Sequence, residues 1–544
     1  MYLRSRLTLT LLGLAFAMHA SAITPTAAGT SPDPMPYAAL TEQGWVEGFQ
    51  TSAGSVAYLG LPFAMPPIGD LRWQPPKPIE AWLTVVRQAA SFAPPCPQVD
   101  SNGTAFGSED CLYLNVWTPI SATESSKLPV MVFMHGGGNI QGSASIEHNS
   151  ILMYDGQRLA ERGQVVVVTI QYRLGALGFL AHSSLVAESQ EGLTGNYGLL
   201  DQIAALGWVQ RNIAAFGGDP QRTLLFGESA GALDTCMLLT SPLAKGLFSR
   251  ALMQSGGCNA KSAAERLKEG HVFAAKAGCA RARKPADCLR KLDAATLVAA
   301  VDGSAVSPMG LVTPAFGPTV DGYVLPADPL TTIEQGQHHP VPFVIGANAD
   351  ETSAFGVPLT LSKAQYQATI RSLFGALADQ VLAQYPVSAY ESPRKALIAV
   401  TTDSQFVCPA RRIAQTVAKH QTAPVYRYFY RHALNNRAGQ LNGAAHGAEL
   451  LFVFQHLSES PDYQPTADDL RLEAAILGYW TRFAATGDPN GGNAVVWPIY
   501  SVDVDPYLDL ATPVQAAAGV RTQQCDFWQG LIPVDSTDIQ NSNH

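Results

Sequence analysis

The feature that most constrains this chain is a set of short apolar runs that do not alternate with polar residues. Val130–Met134, Val165–Ile170, Leu224–Phe226, Val341–Ile345 and Val425–Tyr430 each read as a strand buried on both faces. Between them lie helical stretches. Positions 198–216 place Leu199, Ile203, Leu206, Val209, Gln210 and Ile213 near helical spacing, with a stop at Gly217-Gly218-Asp219-Pro220. Strand, helix, strand is a parallel crossover, so the expected fold is α/β, a central mostly parallel sheet with helices on both faces. No internal repeat or low-complexity linker divides the chain. Its 544 residues are therefore read as one large domain with long insertions, over positions 37–535, followed by a polar tail at 536–544.

The N-terminus reads differently. Arg4 and Arg6 precede an apolar run from Leu7 to Met18 and the small-residue site Ala20-Ser21-Ala22, the three parts of an export signal. The run is too short for the roughly 20 residues that span a bilayer, and no later segment is long and apolar enough to do so. Residues 1–22 are therefore expected to be removed and positions 23–36 to form a loose leader, giving a secreted or periplasmic protein. The formal charge of -9 comes without any cluster of Lys and Arg, which argues against a nucleic-acid partner. Export also places the eight cysteines where disulfides persist, although spacing alone does not pair them. No metal-binding spacing occurs, and the adjacent His338-His339 reads as a solvated turn. Neither metal nor cofactor is expected.

Chemistry enters at Gly227-Glu228-Ser229-Ala230-Gly231, which follows a strand and precedes the helix-like Ala232–Leu239. Glycines around a serine at a strand-to-helix turn allow the hydroxyl to stand at the tip of a sheet. The pentapeptide is weak alone, and its context strengthens it. His135-Gly136-Gly137-Gly138 follows the strand Val130–Met134, and such a loop turns backbone N–H groups toward a developing oxyanion. A serine nucleophile also needs an acid and then a histidine later in the chain. Asp350-Glu351 follows a strand across a turn at Gly346-Ala347-Asn348-Ala349. His446 lies in the small-residue loop Asn442–Gly447. The residues themselves leave Asp350 against Glu351 open, and His446 against His182 or His432.

The chain resembles the carboxylesterase type-B family, the cholinesterase-like branch of the α/β-hydrolases. The resemblance runs from about residue 42 to 532 through Tyr58–Ala64, Ser108–Trp117, the His135 glycine loop, Gly195–Asp201, the Ser229 elbow, Asp350-Glu351, His446–Leu450 and Gly487–Asn490. It implies an α/β-hydrolase fold with insertions around a gorge and a triad of Ser229, Glu351 and His446. It further implies oxyanion N–H groups at Gly137, Gly138 and Ala230, and a supporting Ser255. It pairs Cys96 with Cys111, Cys279 with Cys288 and Cys408 with Cys525, and leaves Cys236 and Cys258 unpaired; the rival reading, a fourth bridge between those two, is set second because Cys236 lies in the elbow helix and should pack as a small hydrophobe. Glu228 is expected to be a buried structural carboxylate.

The sequence departs from the family pattern at Asn139, where an aromatic is common, at Thr352, where a glycine is common, and at Ala354. Phe355 is either a pocket wall or core. Positions 97–110 hold no tryptophan that could stack on a quaternary ammonium. The expected function is hydrolysis of small, uncharged carboxylic esters through an acyl-enzyme. The alternatives are a specialised hydrolase of a lipid, polymer or toxin ester, or a non-catalytic binding module.

Overall fold

The computed structural model describes residues 35–531, apart from positions 83, 149, 302–314 and 462. The export signal, nearly all of the leader and the C-terminal tail read from the sequence lie outside the described residues.

The apolar runs form strands of one sheet, which has eleven members among the described residues. In chain order they are β1 (Phe49–Gln50), β2 (Ser55–Pro62), β3 (Tyr113–Pro119), β4 (Leu128–Met134), β5 (Val166–Ile170), β6 (Gly218–Glu228), β7 (Arg250–Gln254), β8 (Phe343–Asn348), β9 (Val425–Tyr430), β10 (Pro506–Leu510) and β11 (Gln515–Ala518). Across the sheet the order is β11, β10, β9, β8, β7, β6, β4, β5, β3, β2, β1. From β5 to β10 every neighbouring pair is parallel, and antiparallel strands close both edges.

The reason for the unbroken apolar runs is visible in the packing. Val130, Val132 and Met134 enter one core, together with Leu225, Ala251, Met253 and Ile345. Their sequence neighbours Met131 and Phe133 enter a second core with Leu224, Phe226, Leu252 and Val344. Successive strand residues face opposite sides, so a sheet covered on both sides needs apolar residues at every position. Helix α1 (Tyr197–Asn212) and helix α2 (Ala230–Thr240) contribute to the first core through Leu206, Val209, Met237 and Leu238. Helix α3 (Ala263–Lys276) and helix α4 (Cys408–His420) join the same side, and helix α5 (Ala467–Thr486) covers the other with Ile476, Trp480 and Phe483. The chain is thus an α/β protein with a large, mostly parallel sheet between helices.

Two local expectations are corrected. Gly346, Ala347 and Asn348 extend β8 rather than turning, which carries the strand directly to the Asp350-Glu351 pair. His338 and His339 are not solvated: His338 is buried beside Gln421, and His339 Nε2 lies 2.7 Å from the Ser241 carbonyl oxygen. Both rings seat the chain as it enters β8.

Four disulfides are present: Cys96–Cys111, Cys279–Cys288, Cys408–Cys525 and Cys236–Cys258. The fourth corrects the expectation that Cys236 and Cys258 are unpaired. Cys236 does pack inside the elbow helix, but the loop after β7 presses on that same helix. A Cβ on Gly256 would stand 2.5 Å from Ala232 Cβ and 2.9 Å from Leu233 N. That approach leaves the two Cα atoms 5.5 Å apart, within bridging range.

Candidate active site

Parallel pairing brings the carboxyl ends of β4, β6, β7 and β8 side by side, where α/β sheets place their sites. Met134 pairs with Gly227, Glu228 with Gln254, and Gln254 with Gly346. The glycine loop, the serine turn, Ser255 and the Asp350-Glu351 pair all emerge from these ends.

Ser229 has φ 58° and ψ -120°, a conformation that costs free energy for a side-chain-bearing residue and is held here by its surroundings. Its N–H donates to the Gln254 carbonyl at 2.9 Å. The flanking glycines are dictated by contact: a Cβ on Gly231 would lie 2.0 Å from the Met134 carbonyl oxygen, and one on Gly227 would lie 2.4 Å from the Gly231 backbone. Gly136 is similarly constrained, since its Cβ would meet Glu228 Oε2 at 2.7 Å and Ser229 Cβ at 2.9 Å. These glycines let the oxyanion-type loop lie directly against the serine turn.

His446 and Glu351 are brought together. His446 Nδ1 lies 2.6 Å from Glu351 Oε2, and the His446 N–H donates to the Glu351 carbonyl at 3.1 Å. Glu351 is fully buried, and its other oxygen accepts from the Asn348 N–H at 2.7 Å. Asp350 takes a different role, pairing with Lys395 Nζ at 3.0 Å and accepting from the Ala444 N–H at 3.2 Å. His182 and His432 are elsewhere: the first caps a short helix at Ser184, and the second contacts Asp469.

Glu228 does more than fill space. Its Oε1 lies 3.0 Å from His446 Nε2, an ion-pair distance without hydrogen-bond geometry, so Nε2 lacks a hydrogen-bond partner among the described residues. Burial alone would lower the His446 pKa, but the charges of Glu228 and Glu351 raise it well above the usual histidine value. A third carboxylate, Glu449, is also buried. It accepts from Gln254 Nε2 at 2.9 Å and from Asn348 Nδ2 at 2.5 Å. Burial, then the charges of Glu228 and Glu351, push its pKa up to about 7. Phe355 and Phe406 hold the imidazole ring with centroids at 5.0 and 5.1 Å. Phe355 thus packs against the histidine, and Phe406 reaches the cavity wall as well.

The cavity measures about 890 Å³ and is lined by Ser229, Gly138, Ala230 and Ser255 among others. Gly137 stands one residue back, where its positive φ of 108° turns the loop and a Cβ would lie 2.1 Å from the Gln141 carbonyl oxygen. Ser255 Oγ is buried and makes no hydrogen bond to any described residue.

The loop is also pinned by a polar clamp that sequence reasoning missed. Asn139 Nδ2 donates to Asp234 Oδ1 at 2.9 Å, and Gln202 Nε2 donates to Asp234 Oδ2 at 2.6 Å. Burial raises the Asp234 pKa to about 7, against the lowering effect of those two donors. The departure at Asn139 was legible as a departure; its partner five residues past Ser229 was not. His135, just before the loop, stacks on Tyr172, and burial lowers its pKa to about 4.

No helix among the described residues is long and apolar enough to cross a membrane, and no cluster of metal-ligating side chains occurs among them. The family model described as "Carboxylesterase family" matches residues 37–528. A fumonisin B1 esterase from Sphingopyxis macrogoltabida is 38% identical over 496 residues, covering 89% of this chain and 87% of its own length. A medium-chain fatty acyl-CoA hydrolase precursor from Anas platyrhynchos is 35% identical, over 90% and 92% of the two chains. A cocaine esterase from Oryctolagus cuniculus is 34% identical, over 90% and 93%.

Proposed function

The chain belongs to the carboxylesterase family and is a carboxylic ester hydrolase, and from that premise we propose that it works as a serine esterase through Ser229, His446 and Glu351. The observation that carries this reading is the contact from Glu351 to His446 Nδ1, with Nε2 3.0 Å from Oε1 of Glu228, the residue that precedes Ser229. In this mechanism His446 Nε2 removes the Ser229 proton as Oγ attacks the ester carbonyl. Glu351 fixes the tautomer with the proton on Nδ1 and stabilises the imidazolium that forms. Gly137, Gly138 and Ala230 offer N–H groups to the tetrahedral oxyanion, and no hydrogen bond to a described residue occupies any of the three. His446 then protonates the leaving alkoxide, and water repeats the sequence on the acyl-enzyme. Every step uses this chain's own side chains and backbone.

The charges of Glu228 and Glu351 raise the His446 pKa, so the deprotonated form that acts as base is favoured at higher pH and activity should rise with pH through a limb above the ordinary histidine range. The substrate is a small-molecule ester, and the single catalytic domain is exported to the periplasm or the medium. Turnover of 4-nitrophenyl esters that disappears in Ser229→Ala would support the assignment. Full turnover in that variant would reject it.

A further inference from the structure

The cavity beside Ser229 has a charge pattern opposite to that of the protein as a whole. The chain has 44 acidic and 35 basic residues. The charged side chains lining the cavity are Lys261, Arg266, Arg412 and Glu269, three cations and one carboxylate. Glu269 is already engaged: Lys261 Nζ lies 2.5 Å from its Oε1, and Arg266 Nη1 lies 2.9 Å from its Oε2. Arg266 is only 6% exposed and also donates to the Ala315 carbonyl at 3.1 Å, while its Nε is buried without a partner. Among the side chains that line the cavity one carboxylate faces these two cations, while Glu265, outside the lining, also acts on both.

Arg412 is the third of the lining cations. It stands on α4, one turn from the Cys408 anchor, is half-buried, and pairs with no acid among the described residues. A half-buried, unpaired guanidinium on a cavity wall attracts a planar oxyanion, which arginine can hold through two parallel hydrogen bonds, and the more exposed Lys261 ammonium adds a point charge beside Glu269. Between these groups and Ser229 the lining is largely apolar, with Leu233, Phe316 and Ile413. The volume, near the upper end for small-molecule sites, also exceeds what a short-chain ester fills.

We propose that the cavity takes an ester bearing a free carboxylate, held by Arg412 and Lys261 while an apolar spacer lies along the wall and the ester carbonyl reaches Ser229. This rests on the esterase reading above and replaces its expectation of an uncharged substrate. The carboxylate belongs to either the acyl or the alcohol part, and the test separates the two.

The acyl-side pair is 4-nitrophenyl hydrogen adipate against 4-nitrophenyl hexanoate; the alcohol-side pair is 4-acetoxybenzoate against phenyl acetate. Rates are corrected for spontaneous hydrolysis. In at least one pair the anionic ester should have the higher kcat/KM. That ratio should drop about tenfold in Arg412→Gln or Lys261→Gln, recover in Arg412→Lys, and decline with added NaCl. A ratio of one or below in both pairs overturns the proposal and leaves the esterase reading standing. A higher ratio that neither variant lowers overturns it equally. Absence of turnover for all four esters, with no covalent labelling of Ser229, would instead overturn the esterase reading and this proposal with it.

Discussion

Two charged regions meet in one cavity and are built on different principles. Around His446, three carboxylates from Glu228, Glu351 and Glu449 are buried at the ends of central strands, Glu351 accepting from the Asn348 N–H and Glu449 from the Gln254 and Asn348 side chains. Across the cavity wall, Lys261, Arg266 and Arg412 come from the segment after β7 and from α4, and Lys261 stays 44% exposed. The first region is held in place by the sheet and tunes one imidazole. The second stands on elements outside the sheet and lines the space that a substrate would enter. On the proposed reading, reaction chemistry sits on the sheet and selectivity on the elements that decorate it.

Breaking the buried region should have the larger consequences. Glu351→Gln keeps the shape of the acid but no longer fixes the Nδ1 proton, and kcat should drop by about 10³- to 10⁴-fold with little change in KM. Gly136→Ala should be nearly as damaging. Its Cβ would collide with Glu228 and Ser229, so the loop must move away from the nucleophile, which esterase assays alongside circular dichroism would separate from unfolding. Asn139→Ala releases the loop from Asp234, and kcat/KM should decrease about 10-fold as the oxyanion donors lose position. The smallest of these effects is the most diagnostic. Glu228→Gln removes one of the two charges that raise the His446 pKa, so the rising limb of the pH–kcat/KM profile should move to lower pH. An unmoved limb would mean that Glu228 does not govern the base.

Much of this was legible in the sequence, for physical reasons that differ by residue. The buried strands announced themselves because a doubly covered sheet allows no polar face, and the glycines around Ser229 because close backbone contacts exclude a Cβ. Glu351 and Asp350 were not separable without the family resemblance. Both are carboxylates at a strand end, and only the last turn of backbone decides which reaches His446 and which reaches Lys395. The Cys236–Cys258 bridge was only the second reading because its proximity comes from a loop pressing on a helix, which no spacing encodes. The cationic wall was invisible for a similar reason: Lys261, Arg266 and Arg412 are ordinary surface-type residues until the segment leading into α3, α3 itself and α4 bring them to one cavity.

The central claim is that Ser229 is the nucleophile of this site. Reaction of the protein with an organophosphate, followed by peptide mass mapping and parallel esterase assay, tests it most directly. The account predicts one covalent adduct, on the peptide containing Ser229, formed in step with loss of turnover, and neither adduct nor turnover in Ser229→Ala. An adduct on another residue accompanying inactivation, or undiminished hydrolysis by Ser229→Ala, would contradict it.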